Sequence, residues 1–127
     1  MDVAAELLKL NQRLLEAITV ADWATYVELC DPGLTCFEPE AAGQLIQSMA
    51  FHEHYFKLGA VRGEHCTTMA SPHVRVMGDV AVVSYVRLNQ RVADGVPVTR
   101  AVEETRIWQK TGGRWRHVHF HRSKPTI

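Results

Sequence analysis

The feature that most constrains the fold is a change of hydrophobic period at about residue 64. Before this point apolar residues recur at helical spacing, and after it they alternate with polar residues, as in half-buried strands. Turn-like segments at 78–79, 93–97 and 111–113 divide the alternating part. The predicted strands are 65–77, 80–92, 99–110 and 114–122. This half of the chain therefore predicts a four-strand antiparallel meander.

Two helices are predicted at the start of the chain. An amphipathic helix at 2–19 begins at Asp2, whose side chain can cap the first turn. Asp22 is a second N-cap, and the short helix after it ends before Pro32, which cannot continue a helix. These two helices form the first part of an α layer.

A strand at 34–37 and a third helix complete the N-terminal half. Pro39 suits a first helical position, and the helix is expected to run to about Phe56. Helices followed by an antiparallel sheet predict an α+β fold. A strongly curved sheet around a long helix gives a cone with one open end. Because the sequence contains no linker or repeat, we expect a single domain over 1–127.

The charge balance argues against two classes of partner. With 14 basic and 14 acidic residues, the chain lacks the basic surplus that nucleic-acid binding or an electrostatic membrane anchor requires. No apolar run approaches the ~20 residues of a membrane helix, and no signal peptide is visible. The three cysteines match no zinc pattern and indicate reduced thiols. We therefore expect a cytoplasmic protein that needs no cofactor.

Sorting the residues of each strand into odd and even positions, that is, by parity, predicts a cluster of three arginines. Side chains two positions apart share a strand face, and each of the last three strands has a face that combines apolar residues with one arginine. The arginines are Arg87, Arg106 and Arg122. If these faces are concave, the guanidinium groups converge, and Glu104 or a bound carboxylate or phosphate must neutralise them. Solvated arginines at strand ends are the alternative.

The last strand carries three histidines at alternate positions, in "HVHFH". If Phe120 points into the core, His117, His119 and His121 all point outward. Same-face neighbours lie ~7 Å apart along a strand, so three of them span too far for easy tetrahedral metal binding. We therefore predict no metal site and expect an interface or a solvated face.

Six blocks of sequence carry a resemblance to a known family. They are "CDPGLTCFEPEA" (30–41), "FHEHYF" (51–56), "SPHVRVMGD" (71–79), "SYVRLNQ" (84–90), "EETRIW" (103–108) and "VHFHRS" (118–123). In this order they resemble the association (hub) domain of calcium/calmodulin-dependent protein kinase II, over nearly the whole chain. The resemblance implies an NTF2-like cone, which agrees with the parity assignment.

The resemblance also implies a function. Hub domains are non-catalytic scaffolds that assemble into two stacked rings, so we expect a homo-oligomer: a dodecamer, a tetradecamer or a larger ring. The chain is either a hub excised from a full-length parent that carries a kinase domain or a stand-alone hub-like protein. The family also has an arginine-lined cavity that binds small carboxylates. The residues that we assign to this anion pocket are Arg87, Arg106, Arg122, His52, Tyr85 and Glu104. The loop at 57–64 is shorter than usual and lacks a tryptophan that the family carries near the pocket.

An enzyme with the same fold is the alternative, as an isomerase, hydrolase or cyclase. It would need an acid/base pair poised near neutral pH, for which Glu104, Tyr85 and His52 are the candidates. Arginines beside Glu104 would keep this carboxylate ionised and make it a poor proton shuttle. Fold alone does not imply catalysis, so we expect no enzymatic activity.

Overall fold

The computed structural model describes residues 2–125, in which three α-helices pack against a six-stranded sheet. The helices are α1 (Val3–Thr19), α2 (Trp23–Leu29) and α3 (Ala50–Phe56). The strands are β1 (Cys30–Phe37), β2 (Ile46–Gln47), β3 (His65–Met77), β4 (Val80–Ala93), β5 (Val96–Thr111) and β6 (Arg114–Arg122). None of these helices is long and apolar enough to cross a membrane.

The first two helices begin where the sequence predicts. The Asp2 carboxylate accepts a hydrogen bond from the backbone N–H of Ala5 at 2.7 Å, and Asp22 accepts one from the N–H of Thr25 at 3.1 Å. Each contact satisfies a backbone donor that the helix itself leaves free. Both predicted N-caps are confirmed, and α1 runs to Thr19 as expected.

The predicted third helix from Pro39 to Phe56 is wrong. Pro39 opens only a 3-10 turn that ends at Ala41. Ala42 and Gly43 then take positive φ angles of 52° and 89°, which no right-handed helix permits. The chain next pairs with β1 through β2, and α3 forms only the last two turns. Pro39 therefore starts a 3-10 turn, but a residue that suits a first helical position does not by itself specify an α-helix.

The sheet contains the predicted meander and extends it by two strands. Its order is β2-β1-β6-β5-β4-β3, and β3 to β6 pair antiparallel with bounds close to those predicted. Sequence reasoning missed the parallel pairing of β1 with β6, which brings Cys36 beside Phe120. Because β1 connects α2 to the sheet centre, this pairing positions the N-terminal helices over the concave face.

Most of the core lies between α1, α2 and the concave face. Leu7, Leu14 and Leu15 of α1 belong to one buried cluster with Ala81 and Val83 of β4. The parity assignment of β4 and β5 is confirmed, because the inward residues are buried. These residues are Ala81, Val83, Tyr85, Arg87, Val102, Glu104, Arg106 and Trp108. The strongly curved, open sheet with helices on one face confirms the predicted α+β cone.

One of the three histidines of β6 points inward, contrary to prediction. His119 pairs with Ile107 and His117 pairs with Trp108, so Val118 is an extra residue in the ladder. A bulge of this kind shifts the alternation of side chains by one position. His117 is consequently 0% exposed. The bulge was invisible to a parity argument, which assumes an uninterrupted ladder.

Candidate functional site

Glu104 lies at the centre of a buried charged cluster on β4 and β5. Tyr85 is its direct cross-strand partner and donates its hydroxyl to Oε1 of Glu104 at 2.5 Å. Arg106 Nη2 donates to the same oxygen at 3.1 Å, and Arg87 Nη1 lies 3.5 Å from Oε2. Burial alone would raise the pKa of Glu104, but the two guanidinium groups and the tyrosine hold it below its usual value. The carboxylate is therefore ionised.

Both arginines of this cluster have further partners. Arg87 donates through Nε to Thr67 Oγ1 at 2.9 Å and through Nη2 to Thr19 Oγ1 at 3.2 Å. Arg106 donates through Nε to the Tyr85 hydroxyl at 2.9 Å and is 1% exposed. These hydrogen bonds compensate the cost of burying two cations.

Arg122 is neutralised by a different pair of carboxylates. Its Nη2 donates to Glu38 Oε2 at 3.4 Å and also to Glu40 Oε1. Burial raises the pKa of Glu38, and Arg122 only partly offsets this effect. Sequence reasoning missed both glutamates as ion-pair partners of Arg122, because no local pattern signals a pairing across more than eighty positions. Three guanidinium groups thus face three carboxylates.

All three arginines line one cavity of about 250 Å³. His52 of α3 also lines it, together with Glu38 and Glu40. Tyr85 and Glu104 are not among the lining residues and act through the arginines that they bind. A larger cleft of about 670 Å³ lies between α1 and β3 and contains none of the predicted site residues.

His52 connects this cavity to a buried thiol. Its Nε2 lies 3.7 Å from Cys36 Sγ, and its Nδ1 lies 4.0 Å from Glu38 Oε1. Burial and the charge of Arg106 lower the pKa of His52 to about 4, so the imidazole is neutral at pH 7. Burial raises the pKa of Cys36 to about 12. The sequence pattern contains no sign of the contact between Cys36 and His52.

His117 joins the cluster from the other side. Its Nδ1 lies 3.4 Å from Cys30 Sγ, and its ring stacks on Phe120 with centroids 5.6 Å apart. Burial and the nearby Arg106 lower its pKa well below the usual value, so it is neutral at pH 7. Since His117 faces inward and His121 is exposed, the histidines of β6 do not converge on a metal.

Comparison with known proteins identifies the family. Residues 3–126 match the family model of the calcium/calmodulin-dependent protein kinase II association domain. The chain belongs to this family. This hub domain is 43% identical over 127 residues to the delta subunit of calcium/calmodulin-dependent protein kinase type II from Oryctolagus cuniculus. The match covers 96% of this chain and 24% of that relative, so the hub corresponds to a small part of the longer protein.

Several solved structures are similar to this hub domain in sequence and fold. The hub homology domain from Chlamydomonas reinhardtii is 50% identical with a TM-score of 0.91, and the match covers 96% of this chain and 98% of that one. The association domain from C. elegans is 44% identical with a TM-score of 0.90, covering 95% of each chain. An NTF2-like protein from Cytophaga hutchinsonii, 18% identical with a TM-score of 0.80, shows the same fold. The predicted hub resemblance and NTF2-like fold are confirmed.

Proposed function

We propose that this hub domain is a non-catalytic scaffold whose copies assemble into a closed, stacked ring, a dodecamer or tetradecamer. The whole chain, 1–127, acts as one unit of this ring. Family membership supports self-association, and closed symmetry is the usual outcome for repeated identical interfaces. All three cysteines are free thiols, which suits a reducing cytoplasmic compartment.

The outer face of the sheet carries this proposal. Val82, Ile107, His119 and Thr35 lie in register across β4, β5, β6 and β1, on the face opposite the core. Antiparallel sheets with one solvated face normally carry polar side chains there. The half-buried apolar outer-face residues of β4 and β5 are Val80, Val82, Val86, Leu88, Ala101 and Ile107. Covering such a face with a second copy contributes about 25 cal/mol per Å² of buried apolar surface.

The site does not favour the enzyme alternative. Glu104 is ionised and saturated by Arg87, Arg106 and Tyr85. Burial raises the pKa of Tyr85 to about 12, and that of His52 is about 4. None of these groups is poised to exchange a proton near pH 7. Solved neighbours called putative ketosteroid isomerases are only 18% identical, and this similarity concerns the fold alone.

The cavity supports a second role, the binding of a small carboxylate or phosphate. Arg122 is the accessible cation, with 18% of its side chain exposed, and its partner Glu40 is 37% exposed. An incoming anion would displace Glu40 from Arg122, while Glu104 holds Arg87 and Arg106 in place with Tyr85. His52 would border the ligand from α3. Bidentate guanidinium groups suit this recognition.

The scaffold proposal is tested by mass. Native mass spectrometry or light scattering at micromolar concentration should show a particle at least twelve times heavier than the 14.3 kDa chain. Negative-stain images should show rings. A monomer, or a plain dimer that does not grow with concentration, would contradict the ring.

A further inference from the structure

Three side chains beside the cavity carry donor atoms that transition metals bind. One donor atom each from Cys36, Glu38 and His52 lies within 4.8 Å of the other two. It is the one such set of histidine, cysteine or acidic side chains found within residues 2–125. Sequence spacing does not reveal the set, because sixteen positions and a turn separate Cys36 from His52.

The fold explains why these donors meet. Cys36 and Glu38 are two positions apart in extended chain and point to the same side, while Phe37 between them is exposed. The helix α3 then places His52 over them. The His52 ring packs 5.7 Å from that of Phe120 and 5.8 Å from that of Tyr26, which fixes its orientation. Two rigid elements therefore supply the donors.

The distances suit a tetrahedral ion. Two ligands that share a tetrahedral zinc through sulfur and nitrogen lie about 3.5 Å apart, as follows from Zn–S and Zn–N bonds of about 2.3 and 2.0 Å. Cys36 Sγ and His52 Nε2 are 3.7 Å apart. Since all the donor atoms lie within 4.8 Å of one another, a contraction of about 1.5 Å at most would complete the set.

The ion pairs around the site leave one carboxylate oxygen directed at it. Glu38 accepts the hydrogen bond of Arg122 through Oε2, whereas its Oε1 lies 4.0 Å from Nδ1 of His52. Cys36 lies against the other ring nitrogen, Nε2, so a shared ion would bind one of these nitrogens and draw the remaining ligand toward it. Arg122 has Glu40 as its other acceptor, so it stays neutralised if Glu38 turns toward an ion. Arg106 is held by Glu104 and Tyr85. Each nearby guanidinium therefore keeps a compensating oxygen partner.

We propose that Cys36, Glu38 and His52 form a zinc-binding site whose fourth position opens to the cavity. Thiolate, imidazole and carboxylate are the ligand types that Zn²⁺ takes. Binding forms the Zn–S bond as the thiol S–H breaks, and the proton passes to solvent. The bound ion and thiolate add one net positive charge to a balanced cluster, so water, hydroxide or a small anion completes the shell. The site does not depend on ring formation.

Cobalt titration tests this site directly. Cys66 is exposed, so the Cys66→Ala variant serves as the background and removes adventitious binding at that thiol. Adding Co²⁺ to the metal-free variant should give tetrahedral d–d bands and a thiolate-to-cobalt charge-transfer band. Zn²⁺ should displace the cobalt, which abolishes both kinds of band, and should raise the melting temperature of the protein.

Matched cysteine variants test whether Cys36 supplies the thiolate ligand. In the same background, Cys36→Ala should abolish the charge-transfer band and weaken zinc binding at least about tenfold. Cys30→Ala is the control, because it removes another buried thiol that is not in the set, and it should keep the band. Cys36→Ser provides a more conservative variant if the alanine change impairs folding. Absence of tetrahedral cobalt bands, or bands unchanged by both Cys36 substitutions, would overturn the proposal.

Discussion

The guanidinium carbon of Arg106 lies 4.2 Å from the centre of the Phe120 ring. This cation–π contact joins β5 to β6 and adds an aromatic face to the oxygen partners of a fully buried charge. Phe120 in turn contacts His52 and stacks on His117. Arg106 is therefore part of the core. The stability of the hub depends on Glu104, the carboxylate that neutralises this buried charge.

Replacing Glu104 by Gln should destabilise the hub strongly. The change leaves Arg87 and Arg106 without their shared carboxylate in a buried site, and breaking such a pair costs about 3–5 kcal/mol. The free energy of unfolding, measured by urea denaturation at fixed protein concentration, should fall by this amount. Glu103→Gln alters the exposed neighbour on the other face and should change it by less than about 0.5 kcal/mol. Equal effects of the two variants would contradict a neutralising role for Glu104.

Small carboxylates should stabilise the hub through Arg122. Butyrate at a concentration 100-fold above its Kd should add about 2.7 kcal/mol to the free energy of unfolding, seen as a raised melting temperature. Sodium chloride at the same ionic strength is the salt control. Arg122→Gln should abolish the shift, and Arg114→Gln at the exposed start of β6 should keep it.

Glu40→Gln provides the opposite test of the anion pocket. It removes the carboxylate that competes for Arg122, so butyrate should bind more tightly than to the unmodified chain. A butyrate affinity that neither Arg122→Gln nor Glu40→Gln changes would place any anion binding outside this cavity.

The sheet was predictable where local alternation persists. The bounds of β3 and β6 agree with the prediction because polar and apolar residues alternate between clear turns. The parallel pairing of β1 with β6 left no local signal, since it joins segments more than eighty positions apart. The bulge at Val118 changes no propensity, yet it reverses the side that His117 faces.

The inward arginines and their shared carboxylate Glu104 were predictable from the sequence, whereas the two glutamates that neutralise Arg122 were not. Parity placed Arg87 and Arg106 on the concave face because regular strands fix side-chain direction. Glu38 and Glu40 lie just after β1, in a segment that the sequence pattern assigned to the start of a helix. Their contacts with Arg122 depend on tertiary structure alone. Long-range ion pairs of this kind have no period that a single sequence displays.

Acid should destabilise the hub partly through His117. Because burial holds the folded-state pKa of His117 well below that of an exposed histidine, the unfolded chain binds a proton that the native state does not. Stability therefore falls as pH drops below about 6.5, by up to about 1.4 kcal/mol per pH unit for this group. His117→Gln should reduce this slope between about pH 7 and pH 5. His121→Gln, which changes an exposed histidine of the same strand, is the matched control, and a slope that His117→Gln leaves equal to that of the unmodified chain would contradict the assignment.

A charge at the centre of the outer sheet face should dissociate the proposed ring without unfolding the hub. Ile107 lies between Val82 and His119 across β4, β5 and β6, so Ile107→Glu would bury an unpaired carboxylate in any interface formed there. Native mass spectrometry should show monomers or dimers, and circular dichroism should show a retained cooperative transition. Thr111→Glu places the same charge at the exposed end of β5 and should preserve the large particle. If Ile107→Glu also preserves it, the copies associate through another surface.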